Sequence, residues 1–173
     1  PVDFFVENGI FKEIEPNLQV QFDQQYDLRG NLAIPPYVDP HLHLDYVYMA
    51  RAEGAKNETG TLFEGIQRWG ETKASLTVEG IKERARRAIK AEVLYGVQYI
   101  RTHADVTDPN LTGFRALLEL RDELKDIVTI QIVAFPQEGM YSYKGGDKLV
   151  EKALDMGADC VGAIPHFEFA REL

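Results

Sequence analysis

Short apolar runs alternate with longer amphipathic stripes along most of the chain. Runs that are apolar on both faces predict buried strands at 32–38, 97–102, 128–135 and 160–164. Apolar residues spaced three or four positions apart predict helices at 62–73, 78–95, 109–125 and 147–156. Thr77 is a suitable N-cap for the second helix, and Gly96 is a suitable residue to end it. Strands and helices are therefore expected in regular alternation.

This alternation predicts an α/β fold in which parallel strands are joined by right-handed crossovers. Four such units make up the N-terminal half of a TIM (β/α)8 barrel. An open doubly wound sheet is the alternative, but no glycine-rich phosphate loop follows the first strand. Since a complete barrel takes about 250 residues, a chain of 173 residues is expected to be a fragment of a longer one.

The first 31 residues follow a different pattern from the rest of the chain. Short β segments are separated by turns, and Asn8-Gly9 is a strong hairpin signal. A segment of this size cannot build its own core, so we expect it to pack against other parts of the protein. The predicted domains are therefore 1–31, which is a small β domain, and 32–173, which holds the first four β/α units of the barrel.

Composition and charge exclude several classes of partner. A net charge of −9 argues against nucleic acids and anionic membranes, which attract basic surfaces. The single cysteine, Cys160, excludes an internal disulfide and suits a reducing compartment. We see neither an apolar stretch long enough for a bilayer nor a secretory signal. The expectation is a cytoplasmic protein that binds neither nucleic acid nor membrane.

The candidate chemistry lies in the histidines and one glutamine. In an extended strand His41 and His43 project from the same face, so the two imidazoles can bind one divalent metal. His103 and His166 also fall at the ends of predicted strands, and Gln137 follows the third. Carboxyl-terminal strand ends carry the active sites of TIM barrels. For His103 and His166, a packing role and a place in the pocket remain equally open.

Longer motifs around these residues resemble those of a known family. The apolar strand followed by Pro-x-x-Asp-x-His-x-His is similar to the first-strand metal motif of the amidohydrolase superfamily, whose members are metal-dependent hydrolases on a TIM barrel. Within it, six segments resemble the bacterial cytosine deaminases, namely 34–36, 41–45, 60–66, 101–103, 131–139 and 161–169. The triazine-ring amidohydrolases are similar at the metal motif but less so at the last two segments.

The resemblance implies a role for several residues. His41 and His43 would be ligands of a single Fe(II) or Zn(II), Gln137 would hydrogen-bond the pyrimidine ring, and Leu62 and Phe135 would be apolar pocket walls. The implied reaction is hydrolytic deamination of cytosine to uracil and ammonia, through hydroxide attack at C4. The resemblance also implies a small β-sandwich that includes residues 1–31, and assembly as a homo-oligomer.

The family's remaining catalytic groups come from strands five, six and eight, and are expected beyond Leu173. They include a third histidine ligand, a glutamate that acts as general acid, a further histidine and an aspartate ligand. We therefore expect the 173-residue segment to be inactive by itself.

Two alternatives remain open. One is deamination of another aminated pyrimidine, purine or triazine ring, and the other is a truncated, non-catalytic chain. The zinc cytidine deaminases are excluded, because their Pro-Cys-x-x-Cys signature needs more than one cysteine.

Overall fold

The computed structural model describes residues 2–51 and 54–169. It divides the chain into two compact units, Pro1–Pro35 and Pro36–Leu173. The observed division therefore lies just after the predicted one at residue 31. The assignment of the two segments to a β-sandwich and to a barrel domain stays a prediction.

The first unit contains one antiparallel hairpin of strands β1 (Asp3–Glu7) and β2 (Ile10–Glu15). Asn8 and Gly9 connect them with φ angles of 52° and 75°, the left-handed conformation that a tight hairpin turn requires. The side chain of Phe11 is 62% exposed. Within its own unit the hairpin thus has little core, as expected from its size.

The second unit is a parallel sheet covered by helices. Its four strands follow the sheet order β3-β4-β5-β6 and are β3 (Tyr37–Leu42), β4 (Val97–Asp105), β5 (Thr129–Phe135) and β6 (Cys160–Val161). The helices are α1 (Leu62–Lys73), α2 (Val78–Leu94), α3 (Thr112–Leu124) and α4 (Gly146–Asp155). Short 3-10 turns lie at Met49–Arg51 and Pro165–Phe167. The predicted alternation of parallel strands and helices is confirmed.

Two strand boundaries differ from the predicted ones for local reasons. The first strand begins at Tyr37 instead of residue 32, because Pro35 and Pro36 have no N–H to donate to a ladder. The Tyr37 N–H is the first to do so, and it donates to the Gly96 carbonyl at 2.9 Å. Strand β4 extends to Asp105 instead of residue 102, and this places His103 inside the strand instead of after it.

The last predicted strand, 160–164, is reduced to two residues. Gly162 still donates its N–H to the Ala134 carbonyl at 2.8 Å, so the chain stays beside β5 for one residue more. The chain then enters the 3-10 turn Pro165–Phe167, which carries His166. His166 therefore lies in this turn and not at the end of a strand.

Helix termini follow the polar residues that precede them. Thr77 caps α2, since its side-chain oxygen accepts the Gly80 N–H at 3.1 Å, as predicted. Helix α3 begins at Thr112 instead of residue 109, because Leu111 adopts a left-handed conformation with a φ of 50°. Asp108 still serves this helix, and its carboxylate accepts the Thr112 N–H at 2.8 Å.

The core lies between the sheet and the helices α2 and α3. Fully or almost fully buried apolar side chains from all these elements form one cluster, which includes Ala85, Ile89, Ile100, Phe114, Leu117, Leu120, Ile130 and Ile132. These are positions of the apolar stripes and runs in the sequence. In the described part of the chain, no helix combines the length and apolarity needed to cross a membrane.

We expect Leu120→Ala to lower the free energy of unfolding of the full-length protein by about 2–5 kcal/mol. Leu120 is completely buried in α3, so truncation removes apolar contacts and leaves a cavity. Urea denaturation measures the loss, and Leu154→Ala in α4 is the matched control because Leu154 is 40% exposed. Equal losses for the two variants would contradict this position of the core.

Candidate active site

Three histidine rings meet at the carboxyl edge of the sheet. His41 lies in β3, His43 directly follows this strand, and His103 lies in the neighbouring β4. The ring centroids of His41 and His103 are stacked 4.1 Å apart, and His43 lies 5.3 Å from His41 and 5.5 Å from His103. We call these three residues the imidazole cluster. The structure therefore brings together both predicted ligands and one of the two histidines whose role was open.

The backbone of β4 orients the ring of His43. Its Nδ1 lies 3.0 Å from the His103 carbonyl oxygen, and because a carbonyl only accepts, Nδ1 carries the proton. Nε2 is then the nitrogen with a free lone pair, which is the usual arrangement in a metal-binding imidazole. Burial lowers the pKa of His43 to about 4, so its ring is neutral at pH 7.

His103 has an unsatisfied nitrogen in the same cluster. Its Nδ1 is buried and has no hydrogen-bond partner among the described residues. Burial, followed by the neighbouring His41, lowers the pKa of His103. Neutral imidazole nitrogens are good ligands for zinc and iron, so the chemistry of the cluster fits a divalent transition metal.

The cluster by itself is not a complete metal site. Across residues 2–51 and 54–169 there is no group of three or more histidine, cysteine, aspartate or glutamate side chains placed to hold one ion. Structural and catalytic zinc sites use at least three protein ligands. The imidazole cluster by itself therefore does not complete a ligand set of that size.

Aromatic rings surround the cluster on two sides. The Phe135 ring at the end of β5 lies edge-on, 5.8 Å from His43 and 5.7 Å from His103. On another side Tyr46 stacks on His43 at 4.7 Å, and Trp69 of α1 follows Tyr46 at 4.7 Å. Phe135, predicted as a pocket wall, thus packs against the histidines themselves.

Buried hydrogen bonds attach the segment after His43 to β4. The Leu44 N–H donates to the Thr102 hydroxyl at 3.0 Å, and the Asp105 N–H donates to the Asp45 carboxylate at 2.8 Å. Burial raises the pKa of Asp45 to about 7. From α2, the Arg84 guanidinium donates to the carbonyls of Asp45 and Val47, each at 3.2 Å. These contacts determine where Tyr46 stands beside His43.

A cavity of about 550 Å³ opens next to the cluster. Its walls include Tyr46, Leu62, Trp69 and Gln137. Gln137 is only 5% exposed. Tyr46 belongs to both regions, since it lines the cavity and stacks on His43. Leu62 and Gln137, both predicted to touch substrate, therefore line one cavity that adjoins the imidazole cluster.

His166 lies in different surroundings. It is exposed, in the 3-10 turn after β6, and its aromatic neighbours in the described part are Phe63 at 6.5 Å and Phe167 at 5.4 Å. The structure does not bring His166 to the imidazole cluster.

Sequence reasoning missed a buried polar network beside the cavity. Asp105 accepts hydrogen bonds from the Trp69 indole at 2.6 Å and from the Lys73 ammonium at 3.3 Å, and Lys73 also pairs with Glu138. Trp69 is buried and donates to this network. The available signal was the position of Asp105 and Glu138, which follow His103 and Gln137 at the ends of neighbouring strands.

Comparisons with known proteins agree on one family. Residues 24–173 match the Amidohydrolase family. The chain is 33% identical over 160 residues to N-isopropylammelide isopropyl amidohydrolase of Pseudomonas sp. (strain ADP), which covers 88% of this chain and 39% of that protein.

Solved structures agree with this match. The crystal structure of 5-methylcytosine deaminase from Klebsiella pneumoniae, liganded with 5-fluorocytosine, superposes with a TM-score of 0.88 and 45% identity over 99% of this chain and 42% of that one. N-isopropylammelide isopropylaminohydrolase from Burkholderia multivorans superposes with a TM-score of 0.77 and 30% identity, over 93% of this chain and 40% of that one. The chain thus spans about two fifths of the length of these relatives.

We expect Gly162→Ala to destabilise the protein by about 1–3 kcal/mol through overpacking beside the imidazole cluster. A Cβ at Gly162 would lie 2.7 Å from Cδ2 of Phe135 and 3.0 Å from Cγ1 of Val133, so the Phe135 ring must shift. Urea denaturation measures this loss. The control is Gly70→Ala in α1, where a Cβ meets only Glu138 at 3.5 Å and alanine should stabilise the helix by about 0.5–1 kcal/mol. The packing argument fails if Gly162→Ala is as stable as the unmodified protein.

Proposed function

Because the chain belongs to the amidohydrolase family, we propose that it is part of a hydrolytic deaminase that converts cytosine and water to uracil and ammonia. The observation that carries the proposal is 45% identity over 99% of the chain to a 5-methylcytosine deaminase whose structures hold 5-fluorocytosine and phosphonocytosine. The described sheet corresponds to the N-terminal part of the TIM barrel of these proteins. The proposal therefore concerns the full-length protein that contains this segment.

Members of this superfamily generally use a divalent metal, and we propose that His41 and His43 are two of its ligands, with Fe(II) or Zn(II) as the ion. When bound, such an ion supplies Lewis acidity that lowers the pKa of a coordinated water towards neutrality. This chain contributes the neutral ring of His43 to that chemistry. A buried His43 whose pKa is about 4 keeps its Nε2 lone pair at neutral pH.

The cavity supports the part of the proposal that concerns substrate binding. The Gln137 carboxamide both donates and accepts, so it can bond a ring carbonyl and a neighbouring ring N–H of a pyrimidine at the same time. Leu62 and the rings of Tyr46 and Trp69 provide apolar walls for a flat heterocycle. Because Gln137 is almost completely buried, a ligand group that bonds it is shielded from water, and this strengthens the hydrogen bond.

The relatives suggest a second candidate reaction. Two N-isopropylammelide hydrolases match the chain at 33% and 30% identity. Release of an alkylamine from a triazine ring and of ammonia from cytosine are the same substitution of an exocyclic amine by water. The higher identity of the deaminase favours the cytosine-type ring.

The proposed function is tested by amine release from a panel of rings, with the full-length protein. We expect kcat/KM for cytosine or 5-methylcytosine to exceed that for N-isopropylammelide by at least about tenfold, since about 1.4 kcal/mol of differential transition-state binding produces this factor. Faster reaction of N-isopropylammelide would favour the second candidate. An absence of amine release from every ring would refute both.

Metal binding has its own test. In the full-length protein we expect His43→Ala to reduce the bound Fe or Zn, measured by plasma mass spectrometry, from about one ion per chain to less than about a tenth of that, since loss of a ligand removes much of the affinity. The matched control is His166→Ala, because His166 is an exposed histidine away from the imidazole cluster. Equal metal contents in the two variants would contradict the assignment of His43.

A further inference from the structure

We propose that Lys73 is a positioning residue that places Gln137 for substrate binding by holding its neighbour, Glu138. The inference rests on the proposed function, because it gives Gln137 a ring to bind. Lys73 lies at the last turn of α1, and neither the proposed chemistry nor the metal requires it. Its contacts nevertheless connect three elements at the cavity.

The ammonium group of Lys73 is saturated with acceptors. It donates to the Thr107 carbonyl at 2.6 Å, to the Thr107 hydroxyl at 3.1 Å and to Asp105 at 3.3 Å, and it forms a close ion pair with Glu138. Only 13% of the Lys73 side-chain surface is exposed. Burial by itself would lower the pKa of Lys73, but the carboxylates of Asp105 and Glu138 raise it overall. Lys73 is therefore a buried cation with a fully determined geometry.

Asp105 makes the anchor of this cation rigid. Its side chain is 1% exposed, and its other acceptor contacts are the Trp69 indole at 2.6 Å, the Thr107 N–H at 2.7 Å and the Thr107 hydroxyl at 2.5 Å. The two residues that donate these bonds, Trp69 and Thr107, are themselves buried. Lys73 is thus held at the end of β4 independently of its ion pair with Glu138.

The segment that carries Gln137 is held on both sides. The Gln137 N–H donates to the Phe135 carbonyl at 3.0 Å, and the Gly139 N–H donates to the Pro136 carbonyl at 2.9 Å, so the chain turns tightly after β5. Beyond the turn, the Glu168 carboxylate accepts the N–H groups of Met140, Tyr141 and Ser142. Within the turn, Glu138 is the side chain that reaches the buried network, and it does so through Lys73.

This arrangement has a consequence for substrate binding. Gln137 and Glu138 are adjacent, so a shift of Glu138 shifts the Gln137 amide with it. A displacement of about 1 Å in a binding group is enough to reduce catalysis about a hundredfold. A merely structural ion pair would behave differently, since its loss would weaken the fold without acting through Gln137.

The experiment is a double-mutant cycle in the full-length enzyme with Lys73→Met, Gln137→Ala and the double variant, measured as kcat and KM for the preferred ring. We expect Lys73→Met to lower kcat/KM about tenfold or more, mainly through KM. In the Gln137→Ala background the same change should cost less than about threefold, because the group that Lys73 positions is already absent. Equal losses in the two backgrounds would overturn the proposal.

The chain offers a matched control in Lys82. This lysine of α2 also pairs with two carboxylates, those of Glu119 at 2.7 Å and Glu123 at 2.5 Å, and 16% of its side chain is exposed. We expect Lys82→Met to leave kcat/KM within about twofold of the unmodified enzyme in both backgrounds. Lys73→Arg is the conservative variant. It keeps the positive charge, so it can be measured if Lys73→Met folds poorly. We expect its loss of kcat/KM to be smaller than that of Lys73→Met.

A second measurement is independent of activity. Amide hydrogen exchange of residues 137–142 should be faster in Lys73→Met than in Lys82→Met, since only the first releases Glu138. If no ring releases an amine, the proposed function has failed, but this comparison still tests whether Lys73 holds Glu138 in place. Identical exchange in the two variants would overturn the proposal whatever the kinetics.

Discussion

The parallel alignment of β3, β4 and β5 is the constraint on which the candidate site depends. Residues of β4 and β5 pair in register from Tyr99 with Thr129 to Asp105 with Phe135, so the two strands end level with each other. Parallel strands bring all their carboxyl ends to one edge. For this reason His43, His103 and the segment from Phe135 to Gln137, which come from three separate parts of the sequence, lie around one small region.

Beside this edge the protein buries the ion pair of Asp105 and Lys73, and this pair constrains the elements around it. An ionised carboxylate in a dry environment is costly unless every lone pair is engaged. Asp105 meets this requirement with the Trp69 indole and the Lys73 ammonium of α1 and with Thr107, which follows β4. Since removal of one partner from a buried pair costs about 3–5 kcal/mol, α1 cannot move freely relative to β4. The cavity wall formed by α1 therefore has a definite position.

The pattern of apolar residues predicted the parallel α/β architecture, the four strands and the four main helices, and motif resemblance predicted the family. Local backbone chemistry altered the boundaries. Pro35 and Pro36 delay the first strand, and Leu111 delays α3. Extension of β4 by three residues places His103, which was expected just after residue 102 at the strand end, inside the strand. The pairing with β5 caused that extension, and periodicity along one strand contains no information about it.

Placement of the site residues could be predicted in part. Strand positions in the sequence indicated that His41, His43 and Gln137 lie at one edge, and the family resemblance added Leu62 and Phe135 as pocket walls. In the structure Phe135 packs against the histidines, and Leu62 and Gln137 line the adjoining cavity. For His103 and His166 the sequence left two roles open, and the fold separates them, with His103 in the imidazole cluster and His166 in an exposed turn. The metal-ligand role of the histidines remains a proposal, because no group of three or more potential ligands is placed to hold one ion among the described residues.

What came from the sequence alone is therefore everything that local periodicity, capping residues and extended motifs encode: the order of elements, the edge that carries the chemistry and the family. Tertiary structure decided which polar groups form hydrogen bonds and ion pairs with each other. The contacts of Lys73 with Thr107 and Glu138 join residues 34 and 65 positions apart. Such pairs leave no periodic trace in the sequence, because they arise only when helix α1 packs across the strand ends and water is excluded between them.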